Sequence, residues 1–211
     1  MKKNLLILII ITSLTTLSSQ AQELAFKKGT VAVTAGYGVP NLARVGLRLI
    51  YGSYDGYNVK GFGPMLLKGE YGVLNKLGVG AIIGYSSTTL TYNYKDSYYD
   101  NNGYYVPYTY QENLKWNSLS LGAHANFHFA TKEKVDWYVG GGLGYTLHNI
   151  TYSNNDPYNK NNNSYIAYNP NSIFYAITIG MRYYFSPNVG IYAEAGIEKG
   201  ALIQGGLAIK F

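Results

Sequence analysis

Ile173-Phe174-Tyr175-Ala176-Ile177-Thr178-Ile179-Gly180-Met181-Arg182-Tyr183-Tyr184-Phe185 is the stretch whose reading decides the fold. Every odd position in it is large and apolar or aromatic. The even positions include Thr178, Gly180 and Arg182. In a β-strand, alternate side chains point to opposite faces, so a period of two is the signature of a strand with two unlike sides. A helix would scatter both sets around its circumference.

The same parity runs through eight segments, near 30–38, 62–72, 77–92, 116–129, 135–147, 173–185, 189–198 and 201–211. The odd set is apolar in each: Leu77, Val79, Ala81, Ile83 and Tyr85, for instance, or Leu119, Leu121, Ala123, Ala125, Phe127 and Phe129. The even set carries Lys68, Glu70, His124, Asn126, His128, Asp136, Arg182, Glu194, Glu198, Gln204 and Lys210, with many Gly, Ser and Thr. No odd position in these segments is charged. A Lys or Arg on a lipid-facing strand costs roughly 2–4 kcal/mol at mid-membrane, which accounts for that exclusion. A soluble barrel would point its even face to water and fill it with charge. This even face is instead rich in Gly and Ser. The expectation is an all-β, eight-stranded, antiparallel up-and-down transmembrane β-barrel.

Composition agrees. Only 13% of the 211 residues are charged, well below a soluble domain's usual roughly 25%. The chain has no cysteine, so thiol chemistry and a lipidated cysteine are excluded. Lys2 and Lys3, the apolar run from Leu5 to Leu17 and Ser19-Gln20-Ala21 read as a secretory signal over 1–21. The barrel domain then occupies 22–211. Losing Lys2 and Lys3 lowers the formal charge from +6 to +4, and no basic cluster suggests nucleic acid.

Connections alternate in length. Those at 73–76, 130–134 and 186–188 are short; those at 39–61, 93–115 and 148–172 are long and rich in Tyr, Asn and Asp. The fourth outer connection, around Glu198-Lys199-Gly200, is also short. Short periplasmic turns and longer outer loops suit an outer-membrane barrel with both ends in the periplasm. Aromatics on the odd face fall at two levels. Tyr37, Tyr85, Tyr145 and Tyr175 lie near one end; Tyr71, Phe127, Phe129, Trp137, Tyr183, Phe185 and Phe211 lie near the other. Two girdles at the membrane interfaces are expected of a barrel.

The stretches Gly63-Pro64-Met65-Leu66-Leu67-Lys68-Gly69-Glu70-Tyr71, Lys76-Leu77-Gly78-Val79-Gly80, Gly180-Met181-Arg182-Tyr183-Tyr184-Phe185 and Gly206-Leu207-Ala208-Ile209-Lys210-Phe211 resemble the small eight-stranded outer-membrane barrels. These are the "outer membrane protein β-barrel domain" proteins, in the class of the OmpA membrane domain and OmpX. The resemblance covers essentially the whole mature chain. It implies residence in the outer membrane, and an assembly signal in Leu207, Ile209 and Phe211 for the barrel-assembly machinery. It also implies interior ion networks. No peptidoglycan-binding domain is expected after Phe211.

The expected interior network comprises Lys68, Glu70, Arg182 and Glu194, with Glu198 and Lys210 also inward. Arg182 and Glu194 lie at broadly similar depth on neighbouring strands, and buried charges require partners. An eight-stranded interior is just wide enough to be filled by side chains. His124 and His128 are about 13 Å apart along one strand, too far to share a metal, so they are expected to hydrogen-bond inside. His148 has Thr151 and Ser153 nearby but no carboxylate to orient it. No enzyme, cofactor or metal is expected.

Arg44 and Arg48, four apart, are placed on one face of a short helix, as candidate contacts to lipopolysaccharide phosphates. Tyr98, Tyr99, Tyr104 and Tyr105 in the second outer loop and Tyr158 and Tyr165 in the third are the candidate binding surface. Its expected ligands are host surfaces or glycans. The preferred function is a structural and surface-interaction barrel. The alternatives are a narrow channel and, less favoured, a lipid-modifying enzyme.

Overall fold

All eight segments of alternating sequence form strands. The structure, a computed structural model, describes residues 24–52, 56–158, 163–165 (backbone alone) and 171–211. The expected signal segment 1–21 lies outside them. In chain order the elements are β1 (Val31–Val39), α1 (Leu42–Tyr51), β2 (Tyr57–Leu74), β3 (Leu77–Tyr99), β4 (Tyr105–Thr131), β5 (Val135–Asn154), the short β6 (Asn163–Tyr165), β7 (Ser172–Tyr184), β8 (Val189–Glu198) and β9 (Ala201–Lys210). Eight strands pair antiparallel around a ring, β1-β2-β3-β4-β5-β7-β8-β9, and β6 is appended to β5. β9 closes on β1 from Ala32↔Lys210 to Val39↔Ile203. Closure leaves the ring no edge with unpaired backbone groups, which a strand in hydrocarbon requires.

Parity becomes orientation. Ile173 and Ile177, on the outer face, are 76% and 68% exposed, while Arg182 is 2% exposed. The aromatics expected at the two girdles lie on this outer face, together with exposed Leu, Ile and Val side chains. An apolar surface this continuous is unsustainable in water and is the surface lipid covers.

The parity breaks where the register shifts: at the start of β9 a shift between Ala195 and Glu198 leaves Ala201 2% and Leu202 42% exposed, and a more informative break lies in β2. A bulge between Phe62 and Met65 shifts the β2 register against β3. Gly63 sits at φ +80, and a Cβ there would press on the Tyr85 carbonyl. Below the bulge odd residues face lipid. Above it Phe62 and Lys60 face outward, and Val59 is buried with its register partner Leu90. The uniform odd-out rule therefore fails at Phe62, because an extra residue in a strand exchanges its two faces.

The second outer connection is a correction. Expected as a loop over 93–115, it is instead a continuation of β3 and β4, paired without a slip out to Tyr99↔Tyr105. β3 and β4 run 23 and 27 residues, against 10 each for β8 and β9. The excess is roughly 40 Å of strand beyond the membrane. Asp100 closes the hairpin tip by accepting from the amides of Asn102 and Tyr104. β5 follows β4 as far as Glu112↔Asn154. We call this three-stranded extension the blade.

At the opposite end, beside the short turns, residues 24–30 form a floor. Ala25 donates its amide to the Lys132 carbonyl, Gly29 donates to Gly72, and Ala25 and Phe26 are buried.

Candidate functional site

Three layers of side chains fill the barrel from floor to mouth. In the lowest, Arg182 on β7 lies in register with Asp136 on β5. Its guanidinium contacts Asp136 at 3.4 Å and makes a close ion pair with Glu70 on β2, across the lumen. His128 bridges the same carboxylates, with Nε2 2.7 Å from Glu70 and Nδ1 2.8 Å from Asp136. Asn126 donates to Glu70, and Phe26 of the floor stacks on the His128 ring. Gly78 leaves the space that Glu70 occupies.

In the middle layer Lys68 donates to Glu194 at 2.5 Å and to Glu198 at 2.6 Å. The Gln204 amide donates to both carboxylates, and the Tyr138 hydroxyl donates to Glu194 at 2.6 Å. The Arg182 guanidinium lies 4.5 Å from the centre of the Tyr138 ring, joining the two layers.

The network expected from sequence is therefore present, with different pairing. Lys68 and Glu70 share a face but belong to different clusters. Arg182 registers with Tyr192, and Glu194 with Gly180, so Arg182 and Glu194 are offset and each pairs elsewhere. Closing the ring brings β2 opposite β7 and β8, so charges pair across the lumen. Asp136 was legible as an inward residue but not as a member of the cluster. Only the register of β5 on β7 reveals that. Lys210 reaches the Leu24 carbonyl and lies 5.0 Å from the Tyr184 ring, holding the floor. His124 contacts the Gly69 carbonyl at 3.2 Å, and both histidines hydrogen-bond inside the barrel.

Sequence reasoning missed the top layer. Lys199 and Gly200 turn β8 into β9 with φ of 46° and 81°. Two positive φ values describe the tight hairpin turn that favours Asn-Gly. Here the first residue is Lys, and its side chain crosses the mouth to β4. Its Nζ donates to Ser120 Oγ at 2.6 Å and to the Ser118 carbonyl at 3.3 Å. Ser120 lies 2.7 Å from Thr146. His148 Nδ1 is 2.8 Å from Ser118 Oγ, and its Nε2 is 3.2 Å from Ser172 Oγ. Among the described residues no carboxylate hydrogen-bonds to His148. A lysine in an asparagine's turn position was the available signal.

α1 sits at the rim of the mouth, beside β2 and β3. Asn41 caps it, accepting from the Arg44 amide, and Leu42 donates to the Gly200 carbonyl. Arg44 and Arg48, four residues apart, share one side of this helix. The stem of Arg44 packs against Gly61, a position whose Cβ would point to the inner side of the wall, as Val59 does. Tyr51 stacks on Tyr57, and Tyr57 on Tyr92, continuing the inner side upward.

The blade carries the tyrosines. Its even positions continue the lumen face. There Tyr98, Tyr108 and Tyr158 make a three-ring cluster with centroids 4.4 to 6.1 Å apart, and Tyr94 lies against Tyr110. Tyr92 donates a close hydrogen bond to Glu112, and Tyr108 donates to Asp156 at 3.1 Å. Burial and that bond to Asp156 push the Tyr108 phenol up to about 12. It donates, uncharged, throughout the neutral range. Tyr99 and Tyr105 form an edge-to-face pair at the tip, on the opposite face from Tyr98. Tyr104 is exposed in the turn. Tyr165 belongs to β6, in register with Thr151, and its side chain lies outside the described residues.

Leu207 and Phe211 are exposed on the outer face and Ile209 is half-exposed; Phe211 exchanges both backbone hydrogen bonds with Val31, where the ring closes.

Among solved structures, the N-terminal β-barrel domain of Pseudomonas aeruginosa OprF is 18% identical, covering 88% of this chain and 99% of its own, with a TM-score of 0.42. Ail, the attachment invasion locus protein of Yersinia pestis, solved with the heparin analogue sucrose octasulfate, is 16% identical over 87% of this chain and 99% of its own, at 0.36. The outer membrane protease OmpT from Escherichia coli is 12% identical over 93% and 99%, at 0.32. No protein-family model and no curated protein matches the chain. The closed antiparallel ring, with its apolar outer face and charged, filled interior, makes this chain an eight-stranded antiparallel β-barrel of membrane type.

Proposed function

We propose that the protein is a non-enzymatic barrel, exported by its N-terminal signal to the outer membrane, whose task is recognition outside the cell. The observation that carries this reading is the blade, whose β3 and β4 extend roughly 40 Å beyond the membrane, with most of its tyrosines on the inner face and Tyr99 and Tyr105 on the other. Membrane residence needs no such extension, as the ten-residue strands β8 and β9 demonstrate. Tyr supplies rigid contact area with a polar tip at low entropic cost, the property that enriches it in binding surfaces. The layered interior offers side chains where a porin offers water, which weighs against the channel. Among the described residues His148 contacts two hydroxyls but no carboxylate that would orient it as a base, which weighs against the hydrolase. Arg44 packs toward the mouth, which weighs against lipopolysaccharide phosphates as its main partner.

The test replaces residues 94–110 with a two-residue turn. Cells displaying the intact and shortened proteins are compared for retention on immobilised glycans and on basic and acidic polypeptides. The intact protein is expected to retain at least one ligand that the shortened one loses. Identical retention across the panel would overturn the proposal.

A further inference from the structure

The blade sorts its charge by face. On the inner face lie Asp96, Glu112 and Asp156 among the tyrosines, and no Lys or Arg occupies an even position of the described blade strands. Lys95 and Lys115 sit at odd positions, on the outer face. Lys60 faces outward too, because the bulge inverts β2. The chain as a whole is basic, at +6. An acidic, aromatic face on a basic protein is therefore a local departure, and unbroken register maintains it over the hairpin.

The carboxylates on this face differ in availability. Asp156 is buried and accepts from the Tyr108 hydroxyl and the Tyr158 amide, so it holds the blade together. Asp96 is exposed and Glu112 half-exposed; among the described residues neither pairs with a Lys or Arg. Arg44 and Arg48, the cations of α1 on the same side, form no ion pair with either. Tyr94 and Tyr158 are 48% and 57% exposed, with ring surface available to a ligand.

We propose that the inner face of the blade binds an extended, Lys- or Arg-rich polypeptide segment. This rests on the recognition role above and names its ligand class. Ammonium and guanidinium groups pair with carboxylates and are attracted to tyrosine faces. Asp96 registers with Tyr108 and Glu112 with Tyr92, so the two carboxylates stand four residues apart along the hairpin, about 13 Å. An extended basic chain presents side chains on one side about every 7 Å, so every second one of them matches the spacing of the two carboxylates. A polyanion would meet repulsion on this face, and a neutral glycan would leave the sorting of charge without purpose.

The experiment uses full-length mature protein in nanodiscs free of lipopolysaccharide, so that lipid phosphates do not compete for the probe. A short fluorescent oligolysine, a neutral oligoglucose and a sulfated polysaccharide are titrated in turn by fluorescence anisotropy or by competition. Oligolysine is expected to bind with an affinity that falls steeply with salt. Asp96→Asn with Glu112→Gln should weaken it roughly tenfold, since each lost carboxylate removes a charged contact. The amide oxygen introduced by Glu112→Gln still accepts from the Tyr92 hydroxyl, and a heat-modifiability gel verifies the fold. Asp96→Glu should restore most of the loss when paired with native Glu112. Lys95→Gln, on the opposite face, should leave binding unchanged. Oligolysine binding that is absent, or equal in the double variant, overturns the inference. Blade-dependent retention of the neutral glycan in its place would do so while leaving the recognition role intact. Loss of both readings requires, in addition, identical retention by the shortened protein.

Discussion

The barrel interior and the blade are built from the same strands but obey different rules. Inside, Lys68, Glu70, Asp136, Arg182, Glu194 and Glu198 are buried, and each of the two cations is shared by two carboxylates, so each is needed by the others. On the blade, Asp96 and Glu112 keep access to water and need no cationic partner to be tolerated. A charge in the lumen is therefore a structural commitment, and a charge on the blade is free to meet a ligand. The two regions share a face, the even one. What separates them is height, because above the mouth no opposite wall remains to supply partners.

Arg182→Met should break the lower layer most severely. It leaves Glu70 and Asp136 buried without their cation, and loss of one partner in such a group costs about 3–5 kcal/mol. Urea titration of the protein folded into vesicles measures it. A loss under about 1 kcal/mol would mean the lumen is wetter than its packing implies. Next, Ile177→Arg, on the lipid face, should cost roughly 2–4 kcal/mol in the same titration. A negligible effect would deny that this face meets lipid.

Deleting Phe211 removes a lipid-facing aromatic and two backbone hydrogen bonds at the closure of the ring. Reduced outer-membrane levels, judged by fractionation, are expected; unchanged levels would remove the assembly role. Lys199→Asn should be milder. It loses the bridge to Ser120, worth about 1 kcal/mol, but relieves a left-handed backbone position, so stability should shift by less than about 1 kcal/mol. Last, Asp96→Asn should change stability within about 0.5 kcal/mol, as substitutions at exposed positions usually do. A large effect would erase the distinction between blade and lumen.

The sequence alone determined the strands, their inward and outward faces and the identity of most buried charges. A period of two survives in the chain wherever lipid excludes charge from one side, as from Ile173 to Phe185. The pattern faded where that selection ends. On the blade both faces carry polar and aromatic residues, so Asn93 to Lys115 read as a loop although its residues pair as a strand. Tertiary structure alone decided who pairs with whom. Arg182 meets Glu70 and Asp136, Lys68 meets Glu194 and Glu198, and Lys199 crosses to Ser120, because ring closure sets distances between residues far apart in the chain. It also decided that Asp96, Glu112 and Asp156 share one face while Lys60, Lys95 and Lys115 share the other. That sorting depends on an uninterrupted register in β3 and β4 and on a bulge in β2, and neither is written in the local sequence period.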